Sequence, residues 1–220
     1  VGVITALKNQ NKNRQRVNVY LDGSYSFAID KGLANALAVG KELSNDEIEA
    51  LKKDDVVDRL YRRAQRLIGR RPRAERELRR RFERDEIPED VQHAVVQKLK
   101  DRGLIDDHAF VEAWIENRQV FRPRSALALR TELRQKGVSD EIIAQHLADF
   151  DEERAAEAAA RKGARRYRSM EQETFRKRLT GYLLRRGFGH SIVSSVVARM
   201  WRETSEREPE SEDTKWIQRG

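Results

Sequence analysis

The chain of 220 residues contains no cysteine. Disulfide staples, thiolate catalysis and cysteine-ligated zinc are therefore excluded. No apolar run approaches the roughly 20 residues needed to cross a bilayer. The opening Val1-Gly2-Val3 lacks the basic segment and apolar core of a secretion signal, so a cytoplasmic location is expected. The chain opens without an initiator methionine, so a natural start upstream is expected. Histidine is scarce, and His93, His108, His146 and His190 show neither an i, i+4 pair nor HExxH spacing, so no metal site is expected. Neither a phosphate-binding GxxxxGK[ST] loop nor a GxGxxG following a strand is present; Gly187-Phe188-Gly189 lies between helical segments and is explained as a turn. The many carboxylates each have a basic neighbour, and nothing marks a pair as catalytic. No catalytic residue and no cofactor is expected, and the chain reads as non-enzymatic.

Charge, by contrast, is plentiful. Lys and Arg number 45 against 37 acidic residues, a formal +8, and charged residues make up 37% of the chain against 38% apolar. With so little apolar material each element can bury only one face, which suits amphipathic helices and not a doubly buried sheet. The positive balance favours a polyanion or an acidic protein surface as partner.

The first thirty residues differ in kind from the rest. Val17, Val19 and Leu21 alternate with polar positions, Asp22-Gly23 intervenes, and Tyr25, Phe27 and Ile29 alternate again. Alternation on either side of Asp-Gly predicts a β-hairpin, because that pair tolerates the positive φ of a tight turn. Val3 to Leu7 supplies a third strand. Three short strands need a cover, and Leu33 to Val39 is expected to form a short helix over them. Ser44-Asn45-Asp46-Glu47 reads as a capping box, starting a helix to about Lys53.

From Asp54 the pattern is helical and repeats. Leu78, Phe82, Ile87, Val91 and Val96 form one apolar series. Leu129, Leu133, Val138, Ile142 and Leu147 form a second about 50 residues on, and Leu179, Leu183, Phe188, Ile192 and Val197 a third. Each series is helix, break, helix. The breaks carry Ile87-Pro88, Gly137-Val138-Ser139 and Gly187-Phe188-Gly189, with glycine suited to a left-handed C′ position, Pro88 to a first helical position and Ser139 to an N-cap. Glu86 stands where the others have Gly137 and Gly187, so the first of these helices is expected to end differently. A leading helix precedes each pair: Val56 to Ile68, His108 to Val120, and an Ala-rich stretch from about Glu153 to Arg168. The expected fold is mainly α: three tandem three-helix repeats stacked as an elongated solenoid, after a small α/β unit with a three-stranded antiparallel sheet. The expected boundaries are 1–53 for the β-rich unit, 54–105, 106–151 and 152–203 for the repeats, and 204–220 for an acidic tail. That tail reads as unfolded, with Trp216-Ile217 its only apolar pair.

Arginine is the most informative residue. Between Arg70 and Arg84 lie eight Arg and three Glu. With Leu78 and Phe82 buried, helical geometry turns Arg76, Arg80 and Arg84 outward, alongside Arg70, Arg71 and Arg73 at the helix start. Arg134 falls on the corresponding face of the second repeat, and Lys177 and Arg185 on that of the third. Arg122, Arg124, Arg130 and Lys136, and Arg161, Lys162, Arg165, Arg166 and Arg168, extend the basic surface. For any one arginine a solvated i, i+4 ion pair such as Glu75 with Arg79 is the simpler account. A basic surface recurring at fixed period points instead to an extended ligand with its own repeat.

The residues themselves carry a resemblance. Gly103-Leu104-Ile105-Asp106-Asp107, running through Phe110 to Trp114-Ile115, resembles the signature joining the first two repeats of the RecX family. Leu129-Arg130-Thr131-Glu132-Leu133-Arg134-Gln135-Lys136-Gly137-Val138 resembles the helix and turn that follow. Arg71-Pro72-Arg73-Ala74-Glu75 through Glu77-Leu78 resembles the equivalent stretch of the first repeat. The resemblance covers about Asp54 to Arg202 and is looser in the third repeat; the N-terminal extension is similar to that of longer members. It implies a modulator acting in recombination, DNA repair and the SOS response. Such a modulator binds along the RecA filament on single-stranded DNA and suppresses RecA's ATPase, strand exchange and coprotease activities, by blocking extension or promoting disassembly. It carries over no catalytic residue.

Two other readings use the same residues. Three-helix units imitate a helix-turn-helix, and phosphate contacts would employ the same arginines, giving a direct nucleic-acid binder or weak non-specific DNA affinity. The second helices carry few Asn, Gln or Arg in a uniform base-reading position, which disfavours sequence readout. A passive scaffold for an unrelated protein would leave RecA untouched. Nothing in the sequence demands a membrane or an oligomer, and a monomer is expected.

Overall fold

The computed structural model describes residues 1–11 and 13–205; most of the expected tail, including Trp216-Ile217, lies outside the described residues. The described residues divide into two compact units, one ending at Asp106 and the other beginning at Asp107.

In the first unit, β1 (Gly2–Asn9), β2 (Arg16–Leu21) and β3 (Ser24–Asp30) form the expected meander. Asp22 and Gly23 take φ of 49° and 84°, the paired left-handed residues that a two-residue hairpin turn requires. The sheet has four strands, not three, in the order β3-β2-β1-β4. The added strand, β4 (Glu42–Leu43), pairs antiparallel with Gly2 and Val3. It forms because Gly40, at φ 91°, turns the chain back and lets Ile4 N–H donate to the Lys41 carbonyl at 2.9 Å.

The helix expected over Leu33 to Val39 is a single turn, α1 (Lys31–Ala34), capped by Asp30 Oδ1 accepting from Gly32 N–H. Gly32 and Asn35 are poor helix formers, and so short a segment cannot offset the cost of nucleation. Leu33 and Leu37 still pack on the sheet, but Ile48 and Leu51 of the next helix supply much of the cover.

That helix, α2 (Asn45–Ile68), begins at the expected capping box: Ser44 Oγ accepts from Glu47 N–H and Glu47 Oε2 from Ser44 N–H. It does not stop at Lys53. One continuous helix serves as lid of the sheet and leading helix of the first repeat, since no Gly or Pro interrupts residues 45–68. Its middle is tied down by Asp55, 3% exposed, which accepts from both Nη atoms of Arg16 (3.0 and 3.1 Å) and from Asp30 N–H (2.8 Å).

With α3 (Glu75–Arg84) and α4 (Glu89–Asp101), α2 completes a three-helix core of Leu60, Tyr61, Ala64, Leu78, Phe82, Val91, Val95, Val96 and Leu99. Pro88 is the N-cap of α4, one place before the first helical position expected of it.

The second unit holds α5 (Asp107–Phe121), α6 (Ala126–Lys136), α7 (Asp140–Leu147), α8 (Glu152–Ala164), α9 (Gln172–Leu184) and α10 (His190–Ser205). The two trios α5–α7 and α8–α10 match the second and third expected repeats, and α10 takes in the first two residues assigned to the tail. In α7 and α10 the first fully buried residues are Ile143 and Val193, each one place after the half-buried Ile142 and Ile192 of the apolar series. At the matching place in α4 stands Gln92, buried, its amide satisfied by the Ile87 carbonyl at 2.8 Å. The Ala-rich character of α8 has a packing reason. A Cβ on Gly163 would come within 2.9 Å of Leu179 and Tyr182, so only small residues allow α8 this close to α9.

The break is the same in all three repeats. Ile87, Val138 and Phe188 N–H groups donate to the carbonyls of Phe82, Leu133 and Leu183, the six-to-one bond of a Schellman turn. Gly137 and Gly187 take φ of 89° and 86°, and Glu86 takes 54°. The expectation that Glu86 ends its helix differently is thus overturned: the fold imposes the left-handed turn even where the residue resists it.

Candidate partner-binding surface

The sixteen basic candidates separate by what surrounds them. Just before α3, Arg71 and Arg73 both bond Glu77 of that helix: Arg73 Nη1 donates to it at 2.6 Å, and Arg71, though exposed, forks onto both its oxygens. The Glu77 bond raises the Arg71 guanidinium above its ordinary pKa. Arg79 bonds Glu75 at 2.7 Å, the i, i+4 pair expected from sequence. Arg76, Arg80 and Arg84 are exposed, as helical geometry required, with Arg76 ion-paired to Glu83 at 3.2 Å. Arg70 and Arg84 have no carboxylate partner among the described residues.

In the second repeat, Trp114 and Glu132 form a hub. Glu132 accepts from Trp114 Nε1 (2.9 Å) and Arg118 Nε (2.8 Å) and pairs with Arg124 (2.7 Å). Lys136 Nζ lies 5.2 Å from the Trp114 ring centre. Arg124 and Lys136 are therefore brought together, and both are half-buried. Arg134 is exposed but paired with Asp140 at 2.5 Å, which raises its pKa and lowers that of the acid. Arg122 is exposed and Arg130 half-buried. Around the third repeat, Arg165, Arg166, Arg168, Lys177 and Arg185 are exposed without carboxylate partners among the described residues, whereas Lys162 donates to the Val120 carbonyl at the end of α5.

Sequence reasoning missed Arg186. It sits in the α9–α10 turn with its guanidinium 3.6 Å from the Tyr182 ring centre and Nη1 3.4 Å from the Tyr182 carbonyl. Its own carbonyl accepts from Ser125 N–H at 3.1 Å, joining this turn to the start of α6. Burial pushes its pKa below the usual arginine value, and repulsion from Arg124, Arg166 and Arg185 pushes it further. Its neighbours on the chain were visible; the influence of Arg124 from before α6 and of Arg166 from after α8 was not.

Two histidines taken as scattered are in fact adjacent: Nδ1 of His108 lies 3.3 Å from Nε2 of His146, across 38 residues of chain. Among the described residues no group of three or more His, Cys, Asp or Glu could hold a metal ion. His146 also lines a cleft of about 590 Å³ with Ile115, Val120, Phe150 and Arg154. No described helix is long and apolar enough to cross a membrane.

Comparison with known proteins places this arrangement. Four family models match in succession: Regulatory protein RecX N-terminal domain over residues 2–44, RecX first three-helix domain over 61–99, second over 106–147 and third over 151–197. Regulatory protein RecX of Geobacillus kaustophilus is 29% identical over 213 residues, spanning 94% of this chain and 79% of that protein. That of Clostridium perfringens strain 13 is 28% identical over 208 residues, 91% of this chain and 97% of its own. A crystal structure of regulatory protein RecX superposes with a TM-score of 0.70 at 25% identity, covering 89% of this chain and 98% of that one. The RecX structure from Lactobacillus salivarius shares the fold, with a TM-score of 0.57 at 20% identity over 68% and 99% of the two chains. With an N-terminal domain and three successive three-helix domains all matched in order, the chain belongs to the RecX family of regulatory proteins.

Proposed function

We propose that the chain is a non-enzymatic, cytoplasmic, monomeric modulator of the RecA recombinase. It binds along the RecA–DNA filament and suppresses RecA's ATPase, strand exchange and coprotease activities, with any direct DNA affinity weak and non-specific. The observation that carries this reading is the threefold recurrence of one three-helix unit, with the same turn each time and exposed basic residues on every copy, in a member of this family. Units 54–105, 106–151 and 152–203 each offer a modest contact, with 1–53 as an accessory. A filament repeats its own surface, and linked weak contacts on a matching spacing gain about 10²–10⁴ in avidity.

The test is RecA's ATPase on excess single-stranded DNA, titrated with this protein below the RecA concentration. Substoichiometric inhibition that persists as DNA is added is the expected result. No inhibition, or inhibition abolished by added DNA, contradicts the proposal. Reversing Arg76, Arg80 and Arg84 to Glu should weaken inhibition with the melting temperature nearly unchanged, because exposed ion pairs contribute little; full potency in that variant removes α3 from the interface.

A further inference from the structure

We propose that the junction of the second and third repeats holds a phosphate-binding site for a nucleic-acid backbone, built from Arg186, Arg185, Arg166 and Arg124. Arg186 feels the charge of Arg124 in the α5–α6 loop, Arg166 just past α8 and Arg185 beside it in the α9–α10 turn, and the bond from Ser125 N–H to the Arg186 carbonyl sets the first of these segments against the last. The site deepens the proposed function, because a phosphate on the DNA held within a filament is a natural ligand for it.

One cation at this junction is left uncompensated. Arg186 Nε is buried with no hydrogen-bond partner, and one face of the guanidinium is covered by Tyr182. Arg186 is half-buried, and a cation that has lost part of its hydration favours an anionic partner. The cations acting on it are three further arginines, of which only Arg124 has a carboxylate, the Glu132 that it shares with Arg118. Arg166 and Arg185 have none among the described residues. What the fold withholds, an anion at the open edge of the guanidinium would supply.

A phosphate fits better than a carboxylate. It presents several acceptor oxygens to donors arriving from several directions, and the planar guanidinium fork binds it bidentately. The scaffold is fixed: Ser125 N–H to the Arg186 carbonyl joins two of the segments, and a Cβ on Gly187 would collide with Ser125 Oγ at 2.5 Å. The start of α6 adds a favourable field, since Ser125 caps it and its first turn carries no acid.

The test is fluorescence anisotropy of a labelled oligodeoxythymidylate with the full chain across a salt series. The variant is Arg166→Gln with Arg185→Gln, both exposed; Arg186→Lys, which keeps charge and loses the fork, is the second. Binding of the double variant should weaken about tenfold at low salt. The slope of log K against log salt should become shallower by about 1.4, the value for two phosphate contacts on a single strand. Wild-type affinity and slope in the double variant overturn the site. So does an equal loss on neutralising Arg76, Arg80 and Arg84, which would make the effect general charge. Unchanged oligonucleotide binding combined with lost RecA inhibition would assign the cluster to a protein carboxylate, overturning the phosphate site while leaving the proposed function standing.

Discussion

Replacing Asp55 with asparagine should loosen the N-terminal sheet from α2 at a cost of about 2–4 kcal/mol. The carboxylate is 3% exposed and accepts from both Nη atoms of Arg16, from Asp30 N–H and from Arg59 Nε at 3.2 Å. Asparagine fits the space but removes the charge and turns an NH₂ toward a donor. Breaking a fully buried pair by removing one partner costs roughly 3–5 kcal/mol, and leaving a buried donor unmet about 1–3. Arg16 is 18% exposed, so water relieves part of its lost compensation and the cost falls between those two ranges, at about 2–4 kcal/mol. Urea denaturation followed by circular dichroism gives the free energy. Hydrogen exchange gives the location, with lost protection expected in β2 and β3 and not in α8 to α10. A cost below about 0.5 kcal/mol, or uniform loss of protection, would refute the reasoning.

Glu86→Gly should raise stability by about 1 kcal/mol, because a non-glycine residue in the left-handed region is strained by roughly that amount; thermal melting checks it, and an unchanged midpoint contradicts it. Gly187→Ala should be more damaging than Gly103→Ala. Both residues have positive φ, but a Cβ on Gly103 meets nothing within 4 Å, whereas on Gly187 it reaches Ser125 Oγ at 2.5 Å; equal losses in melts would show that the inter-repeat contact yields freely. The hydrogen bond from Arg62 holds the Asp30 carboxyl below its ordinary 3.8. Burial raises that of Glu75, but hydrogen bonds from Lys100 and Arg79 bring it below 4.5. Both groups bind protons more tightly when unfolded, so their stabilisation is present above those ordinary values and is lost as pH falls through the folded ones. Denaturation midpoints should therefore drop below about pH 4.5, with a shallower drop in Asp30→Asn; an identical pH profile in that variant would count against the assignment.

Features written in short-range pattern were legible in the sequence. The Asp22-Gly23 hairpin, the Ser44–Glu47 box and the three apolar series depend on residues a few positions apart, and the structure reproduces them. What escaped depends on partners far along the chain. Two residues, Glu42 and Leu43, carry no strand signal; they become a strand because Gly40 returns them to β1. The continuity of α2 through Lys53-Asp54, where the sequence suggested a boundary, goes with Asp55 answering Arg16, 39 residues earlier. The basic surface divides similarly. Outward-facing Arg76, Arg80 and Arg84 follow from helical geometry, but the pairing of Arg124 and Lys136 around Trp114 and the charge gathered at Arg186 follow only from packed helices. Glu86 shows the reverse case, where local preference was read correctly and tertiary structure prevailed.

Recognition of the filament itself is the central claim, and co-sedimentation tests it most directly. RecA filaments assembled on single-stranded DNA with a slowly hydrolysed nucleotide are pelleted with this protein in the presence of excess unlabelled oligonucleotide. The account expects the protein in the pellet, saturating at less than one copy per RecA and insensitive to the free strand. Protein left in the supernatant, or displaced from the pellet by free DNA alone, would contradict it.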